Sequence, residues 1–439
     1  MIIKQFEYKP LAHYSYAVIS DGKMAVIDPE RDPNPYYNFA KSHNAKITKV
    51  LETHPHADFV SSHVQIHEET GATIYHSSKL KANYPFTPFD DGDTLNLGYA
   101  EFKAIHTPGH SPDSITIVAV DDQETLLFTG DTLFVGDVGR PDLSDNLEKD
   151  ERQELAEAMY HTIQEKFKGL PDNAIIYPTH GAGSLCGKSM GDAHKSTLGE
   201  ERKNNWAFKK QSKEKFVSAL LEDLPFIPSY FPFNVTINKK GADNLEKAIA
   251  SIPFSQKSTA SGMLVDMRDE KTFKKGHLKG SINIQADSDD AKFETWLGAI
   301  VRPKEEFTLI IDGKEHMDKL VNRVAKIGYE KQLKKAITIS EDNLATIEQL
   351  DLKDFKKNPK NYTIVDVRNK SEVEEGKFFE HAISHPLHEL RDTIDDIPTD
   401  KPIVVHCAGG YRSAAGSSII AKHLDTTVFD LSDDVKDFK

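Results

Sequence analysis

Short apolar runs alternate with helix-like segments along the first half of the chain. The runs are rich in Val, Ile, Phe and Tyr and are bounded by Gly, Pro, Asn or Asp, which is typical of strands separated by turns. They predict strands at residues 25–28, 49–53, 73–75, 102–106, 115–120, 125–128 and 174–177. Strands that alternate with helices form layered sheets. This half of the chain is therefore predicted to be an α/β domain.

Candidate metal ligands follow four of these predicted strands. They are His54, His56 and Asp58 after the first of the four, and then His110, Asp131 and His180. Two histidines at i and i+2 with a carboxylate at i+4 cannot share one face of a helix, but they can converge in a loop that leaves a strand. Neighbouring Gly and Pro residues permit the tight turns that this requires. One such residue alone would be read as a cap or a turn, whereas the whole set predicts a metal site.

Size and composition exclude several classes of protein. The chain has 439 residues, which predicts roughly two to four domains. Its hydrophobic fraction of 38% supplies enough apolar surface for folded cores, so disorder is not expected as the main state. With 55 basic and 69 acidic residues the net charge is -14, which argues against a nucleic-acid-binding protein that needs a basic face.

The chain shows no sign of export or of membrane insertion. The first residues lead straight into charged sequence and lack the apolar core of a signal peptide. No apolar run approaches the ~20 residues of a membrane span. Cys186 and Cys407 are the two cysteines of the chain, so a disulfide framework is implausible. We therefore expect a protein of the reducing cytoplasm that binds neither membrane nor nucleic acid.

The second half of the chain contains an internal repeat. Residues 264–268 (LVDMR) are echoed by residues 364–368 (IVDVR), and residues 276–284 have a degraded counterpart at residues 376–386. Each copy predicts a separate small α/β unit. We therefore predict three domains, at residues 1–245, 246–352 and 353–439.

The second copy contains a cysteine between a predicted strand and a predicted helix. The buried-looking run at residues 402–406 leads directly into Cys407. Backbone N–H groups and the helix dipole stabilise a thiolate at such a position. Gly409 and Gly410 let the loop curl around the sulfur, and Arg412 supplies a positive charge for an anionic substrate or product. The first copy contains no cysteine and cannot use the same nucleophile.

The ligand set of the first domain resembles that of the metallo-β-lactamase superfamily. The superfamily's H-x-H-x-D-H motif, later His, bridging Asp and last His correspond to His54, His56, Asp58, His110, Asp131 and His180. The resemblance implies an αββα sandwich, two β-sheets between helices, with the metal at one edge. The last histidine of the motif is Phe59 here, so a second metal ion would lose a ligand and gain an aromatic wall. This departure puts a two-zinc hydrolase in doubt.

Without the second site, His54, His110 and Asp131 form a two-histidine, one-carboxylate face. Such a face suits non-haem Fe(II) and leaves positions open for substrate and oxygen. Within the superfamily this pattern resembles the persulfide dioxygenases. The resemblance implies one Fe(II) per chain on these residues, and it implies supporting or pocket roles for His56, Asp58, Phe59 and His180. The residues alone leave His56 open as a ligand.

Two further residues are assigned to the pocket. Residues 136–142 resemble the Gly-x-Gly-Arg segment of those dioxygenases, in which Arg140 would orient a supporting carboxylate or offset an anionic substrate. Cys186 lies in a glycine-bearing loop after His180, where the animal-type dioxygenases carry an Asp-Tyr pair. It either packs as a small hydrophobe or faces the pocket and exchanges sulfur with a persulfide.

The second copy of the repeat resembles the rhodanese family of sulfurtransferases. The family's markers are a Val-Asp-Val-Arg strand and a six-residue loop from Cys to Arg, and both are present. The resemblance implies that Cys407 accepts a sulfane sulfur and that Arg412 helps to bind the anion. The sulfur-binding loop would also include Ala408, Gly409, Gly410, Tyr411 and Ser413. Related phosphatases have five residues between Cys and Arg, whereas four intervene here. The first copy is then an inactive rhodanese module.

Both resemblances point to one sulfur pathway. We hypothesise that the chain oxidises a low-molecular-weight persulfide with O2 at Fe(II) to sulfite and thiol, while sulfur on Cys407 passes to sulfite to form thiosulfate. The reverse, loading of Cys407 from thiosulfate, is equally allowed. The carrier thiol, such as glutathione or coenzyme A, stays open, and we expect a homo-oligomer. The alternatives are a zinc thioester hydrolase of the glyoxalase II kind and a non-catalytic sulfur-sensing scaffold.

Overall fold

The computed structural model describes residues 1–122, 124–143, 149–288, 290–340 and 342–438. They form two compact units, one made of Met1–Lys247 with Ala325–Gly328 and one made of Ala248–Val324 with Tyr329–Lys439. The first unit carries the strand-end histidines and carboxylates, and the second carries both copies of the repeat. Within the described ranges, no helix is both long enough and apolar enough to cross a membrane.

The first unit is built on two six-stranded sheets. The first sheet consists, in spatial order, of β1 (Ile2–Tyr8), β2 (His13–Ser20), β3 (Lys23–Ile27), β4 (Lys46–Leu51), β5 (Thr73–His76) and β6 (Thr87–Pro88). Its strands are antiparallel up to β3 and parallel from β3 onward. The second sheet consists of β7 (Thr94–Leu97), β8 (Ala100–His106), β9 (Ile115–Val120), β10 (Thr125–Gly130), β11 (Ile175–Pro178) and β12 (Ser196–Thr197). Each strand predicted for this region is present, with ends that differ by a few residues.

Helices cover the outer faces of both sheets. The helices are α1 (Asn34–Ser42), α2 (His63–Thr70), α3 (Lys149–His161), α4 (Leu198–Asn204), α5 (Lys213–Leu221), α6 (Tyr230–Lys240) and α7 (Leu245–Ala250). Buried residues such as Val18, Phe102 and Phe128 form the core between the sheets. Tyr36 of α1 packs on the outer face of the first sheet, and Met159 of α3 packs on the outer face of the second. The predicted αββα sandwich is therefore confirmed.

The second unit contains two parallel sheets, one for each copy of the repeat. The first copy has β13 (Phe254–Ser255), β14 (Met263–Asp266), β15 (Ile282–Asn283), β16 (Phe307–Ile310) and β17 (Leu333–Ile337), in the spatial order β13-β17-β16-β14-β15. The second copy has β18 (Thr363–Asp366), β19 (Ile383–Ser384), β20 (Ile403–His406) and β21 (Val428–Asp430), in the order β19-β18-β20-β21. The central strands of the two copies correspond, so both are small α/β units as predicted.

Six helices complete the second unit. They are α8 (Glu270–Lys275), α9 (Phe293–Ile300), α10 (Met317–Lys326), α11 (Leu352–Lys357), α12 (Lys370–Glu375) and α13 (Tyr411–His423). The residue numbers at which we divided the chain into three domains remain predictions. In both units, the residues predicted to carry the chemistry lie where strands end. The loops that leave the carboxyl ends of neighbouring strands lie close together, so their side chains can form one site.

Candidate active sites

His54 lies in the loop after β4, and its neighbours orient its ring. Thr53 Oγ1 donates to Asp28 Oδ2 at 2.9 Å and lies 2.9 Å from His54 Nδ1. A hydroxyl has one hydrogen to donate, so Thr53 must accept a hydrogen bond from His54 Nδ1–H. The lone pair on His54 Nε2 is thereby left for a metal ion.

His110 is oriented by the same principle from another loop. Its Nδ1 lies 2.8 Å from the backbone carbonyl of Arg140, which can only accept, so Nε2 again keeps the lone pair. Burial lowers the pKa of His54 and of His110, although Asp131 opposes the effect at His110. Both rings are therefore neutral near pH 7, the form that binds a metal ion.

Asp131 completes this group at the end of β10. Its Oδ2 lies 3.7 Å from His54 Nε2 and 3.6 Å from His110 Nε2. The preceding Gly130 has φ of 55°, and a Cβ there would lie 2.5 Å from Thr53 Oγ1, so this turn requires glycine. All three donor side chains are buried, and both carboxylate oxygens of Asp131 lack a hydrogen-bond partner among the described residues. Buried carboxylate oxygens without a hydrogen-bond partner fit a bound cation.

A second group of donors lies on the other side of the same carboxylate. His180 Nε2 is 3.6 Å from Asp131 Oδ1 and 3.4 Å from Asp58 Oδ2. The Sγ of Cys186 lies within 4.8 Å of the donor atoms of Asp58 and His180. Cys186 therefore lies with Asp58 and His180, and its exchange of sulfur with a persulfide stays a prediction. Burial raises its pKa above the usual range, so without a cation it is a neutral thiol.

Phe59 stands where the superfamily motif has its last histidine. Its ring stacks on His56 at 4.4 Å between centroids and on His13 at 3.8 Å. Phe59 is almost fully buried. It offers no donor atom to the second group, and it forms the aromatic wall that the sequence predicted.

His56 forms a separate buried group with two carboxylates. Its Nε2 lies 3.2 Å from Asp28 Oδ1 and 3.2 Å from Glu52 Oε2. Burial lowers the pKa of His56, but the two carboxylates outweigh it and raise the value to about 10. Burial also raises the pKa of Glu52 to about 7. His56 is thus an imidazolium between two acids, and its supporting role stays a prediction.

Three supporting residues were missed by the sequence reasoning. Asp28 accepts from Thr53 and from Thr179 Oγ1 at 3.1 Å, so it links the loops that carry His54 and His180. Glu52 accepts from Ser61, and Asn238 of α6 donates to the backbone carbonyls of the motif loop. Asp28 closes a predicted strand, which is the signal that was available for it. Asn238 comes from a helix 182 residues away and gave none.

Arg140 forms hydrogen bonds with two of the loops next to the site. Its guanidinium donates two hydrogen bonds to Asp142, at 2.6 and 2.8 Å, and a third to the backbone carbonyl of Leu185 at 3.2 Å. Its backbone N–H donates to the carbonyl of Cys186 at 3.0 Å. Arg140 therefore joins the loop after Asp131 to the loop after His180. The carboxylate that it orients is Asp142.

The second candidate site is the Cys407 loop, by which we mean Cys407 to Arg412 after β20. Gly410 has φ of 98° and its backbone N–H donates to Cys407 Sγ at 3.1 Å. Ser413 Oγ donates to the carbonyl of Gly410 at 2.9 Å. Arg412 forms a bidentate ion pair with Glu372, with the longer bond at 2.8 Å. The loop curls around the sulfur as predicted, while Glu372 is a partner that the sequence did not indicate.

The first copy shares the strand and the buried ion pair next to this site but lacks the nucleophile. A buried Asp–Arg pair follows its central strand, Asp266 with Arg268 at 2.6 Å, and the second copy repeats the pair. Strand pairing aligns Asp266 with Ile310 in the first copy and Asp366 with His406 in the second. The residue that corresponds to Cys407 is therefore Ile311, which cannot carry sulfur.

The fold has a counterpart among solved structures. The crystal structure of a metallo-β-lactamase from Staphylococcus aureus is 32% identical, with a TM-score of 0.68 over 77% of this chain and 99% of the other. The chain belongs to the metallo-β-lactamase superfamily. The model of that superfamily matches residues 8–180, and the rhodanese-like domain matches residues 252–336 and 349–439. The chain is thus a fusion of a metallo-β-lactamase domain with tandem rhodanese-like domains.

Two kinds of curated relative share similarity with this metallo-β-lactamase fusion. Persulfide dioxygenase ETHE1 of Homo sapiens is 28% identical over 159 residues, or 36% of this chain and 59% of the relative. A hydroxyacylglutathione hydrolase of Prochlorococcus marinus is 32% identical over 163 residues, or 36% of this chain and 61% of the relative. The chain spans about three fifths of the length of these relatives.

Proposed function

We propose that the chain is a persulfide dioxygenase joined to a rhodanese sulfurtransferase. The observation that carries the proposal is the buried group of His54, His110 and Asp131, whose ligand atoms lie within 4.8 Å of one another. Phe59 adds no donor, and His56 is occupied by Asp28 and Glu52. A two-histidine, one-carboxylate group remains, and the same chain also contains a cysteine loop that is suited to carry sulfur.

These three residues would hold one Fe(II) per chain. When bound, ferrous iron would supply open positions for substrate and O2 and the electrons for oxygen activation. The protein keeps the two imidazoles in the tautomer that presents Nε2, through Thr53 and the carbonyl of Arg140. Burial of the donor group excludes bulk water. The overall reaction is RSSH + O2 + H2O → RSH + SO3²⁻ + 2H⁺, where RSSH is a low-molecular-weight persulfide.

A cleft gives the substrate a route to His110. It is lined by Pro55, Ala57, His110, Ser111, Pro112, Asp113, Leu143, Val235, Thr236 and Lys239. Its apolar residues suit the thiol carbon chain, and Lys239 suits an acidic group of a carrier such as glutathione or coenzyme A. The cleft therefore supports an organic persulfide as the substrate.

Cys407 is proposed to carry the sulfur of the second reaction. Its persulfide would be attacked at the outer sulfur by sulfite, which gives thiosulfate and returns the thiolate: Cys407–S–S⁻ + SO3²⁻ → Cys407–S⁻ + S2O3²⁻. The Gly410 N–H stabilises the thiolate that leaves. By microscopic reversibility the same loop can load sulfur from thiosulfate. The first rhodanese-like domain, with Ile311 in the corresponding position, supplies no nucleophile.

Metal content and oxygen uptake test the dioxygenase proposal. Protein purified without added metal is expected to contain about one iron per chain and to consume O2 with glutathione persulfide or coenzyme A persulfide, with sulfite as product. Two zinc ions, no iron and no oxygen uptake would contradict it.

One observation supports a second candidate, a zinc thioester hydrolase. The group of Asp58, His180 and Cys186 shares Asp131 with the first group, as a two-metal hydrolase would require. Hydrolysis of a glutathione thioester by the zinc-loaded protein would favour this candidate. Its absence, together with oxygen uptake by the iron protein, would reject it.

A further inference from the structure

A hydrogen bond ties the Cys407 loop to the first rhodanese-like copy. Tyr411 Oη donates to the backbone carbonyl of Gln285 at 2.7 Å. Burial raises the pKa of Tyr411, so the phenol keeps its proton and acts as the donor. Tyr411 stands between Gly410, whose N–H donates to the sulfur, and Arg412. The bond therefore anchors the middle of the loop to a domain that has no nucleophile of its own.

The arginine of the loop is held from both copies. Glu372 of the second copy binds the Arg412 guanidinium through two hydrogen bonds. Trp296 of α9 in the first copy presents its ring 6.0 Å from the same guanidinium, a cation–π distance. Trp296 is buried, so its ring is a rigid surface. The direction of the Arg412 side chain thus depends on the first copy as well as on Glu372.

A third contact reaches the glycine that turns the loop. Ser432 Oγ donates to the carboxylate of Glu270 in the first copy at 2.7 Å. A Cβ added at Gly410 would lie 3.2 Å from Ser432 Oγ, so Gly410 packs closely against this serine. Glu270 therefore supports, through Ser432, the residue whose N–H faces Cys407 Sγ.

We propose that the first copy is the positioning frame of the Cys407 loop. In this proposal Gln285, Trp296 and Glu270 hold the loop residues Tyr411, Arg412 and Gly410 in the geometry for sulfur transfer. None of the three touches the sulfur, so they are positioning residues. The proposal rests on the proposed role of Cys407 as sulfur carrier. It assigns a role in the reaction to a copy whose own site has lost the cysteine.

The same contacts could serve only to hold the two copies together. Another contact between the copies, away from the Cys407 loop, provides a control for this alternative. Arg391 of the second copy forms an ion pair with Glu305 of the first, at 2.8 and 2.9 Å. Neither residue belongs to the Cys407 loop. Loss of this pair weakens the interface alone, whereas loss of the Tyr411 hydroxyl affects the loop.

The test uses the full-length chain and four variants. Tyr411→Phe removes the anchor, and Trp296→Leu removes the ring beside Arg412. Glu305→Gln is the interface control, and Tyr362→Phe is the tyrosine control, because Tyr362 donates to Asp354 within the second copy. Sulfur transfer from thiosulfate to cyanide is measured for each, with rates normalised to the fraction of Cys407 that iodoacetamide titrates. The melting temperature of each variant is recorded alongside.

The two loop variants are expected to differ in kind. Tyr411→Phe lets the Gly410 N–H move from the sulfur, so kcat falls about fivefold while KM for thiosulfate is nearly unchanged. Trp296→Leu lets Arg412 move, so KM for the thiosulfate dianion rises while kcat is nearly unchanged. Both controls keep wild-type kcat and KM. A merely structural contact would instead lower the titratable fraction and the melting temperature.

The proposal is overturned if Tyr411→Phe keeps the wild-type kcat, or if Glu305→Gln lowers kcat to the same extent. A chain that transfers no sulfur from thiosulfate would refute the proposed rhodanese activity separately. The rate of Cys407 alkylation then decides the loop proposal, since it requires no transfer. A change in Tyr411→Phe but not in Glu305→Gln supports the positioning frame, and equal rates in all variants refute it.

Discussion

The metal-binding group and the Cys407 loop are built in opposite ways. His54, His110 and Asp131 come from loops after different strands, and the two histidines depend on further residues for their orientation. The Cys407 loop is one contiguous turn, in which Gly410 already faces the sulfur. A dispersed site loses metal affinity when a distant support is lost, whereas a contiguous loop keeps its thiol and loses mainly geometry. Substitutions can test this contrast.

The largest effect is expected for Asp131→Ala. It removes the carboxylate that faces both histidines, so iron binding is lost and oxygen uptake with a persulfide falls to background. Sulfur loading of Cys407 from thiosulfate is expected to persist, because the loop does not use this residue. An oxygen electrode and mass spectrometry of the persulfidated protein measure the two functions. Retained oxygen uptake would reject the assigned metal group.

The converse result is expected for Cys407→Ser. A serine hydroxyl cannot accept a sulfane sulfur, so thiosulfate formation from persulfide and O2 is lost while oxygen uptake and sulfite formation continue. Cys186→Ser is the matched control for the other cysteine, and it is expected to keep the added sulfur on Cys407. If Cys407→Ser left the thiosulfate yield unchanged, the second rhodanese-like domain would have another role.

A smaller effect is expected when a supporting residue of the dispersed site is changed. Thr53→Val keeps the side-chain shape but deletes the hydroxyl between His54 and Asp28, so iron affinity should fall roughly 10- to 100-fold. Competition with a chelator measures the affinity. Thr70→Val is the control, because that hydroxyl bonds only backbone groups of its own turn. Equal affinities for wild type and Thr53→Val would show that the hydroxyl does not orient the ligand.

The smallest effect is expected at the mouth of the cleft. Lys239→Ala removes a partly exposed charge, so KM for glutathione persulfide should rise about threefold, with less difference at high salt. The neighbouring Lys240→Ala, outside the cleft lining, should keep the wild-type KM. A rise in both variants would point to general electrostatics rather than to this cleft.

The two rhodanese-like copies sharpen the same contrast. They share the buried Asp–Arg pair and the parallel sheet, yet Ile311 replaces Cys407. The first copy keeps this fold although it lacks the nucleophile, so the fold does not depend on the catalytic cysteine. The contacts of the first copy to Tyr411 and Arg412 give the remaining frame a use.

The sequence by itself determined the strands, the metal-ligand motif and the Cys407 loop. Apolar periodicity, glycine conformations and the N–H groups around a sulfur are local properties, so a short stretch specifies them. Phe59, which replaces the last histidine of the metal-ligand motif, also indicated a single metal group.

The tertiary structure alone decided the supports of both sites. Asp28 and Asn238 hold the motif loop, and Glu372 and Gln285 hold the Cys407 loop, yet each lies far along the chain from the residue it binds. It also decided that His56 Nε2 lies between the carboxylates of Asp28 and Glu52. A hydrogen bond acts only within a few ångströms, and residues far apart in sequence reach that distance only through folding.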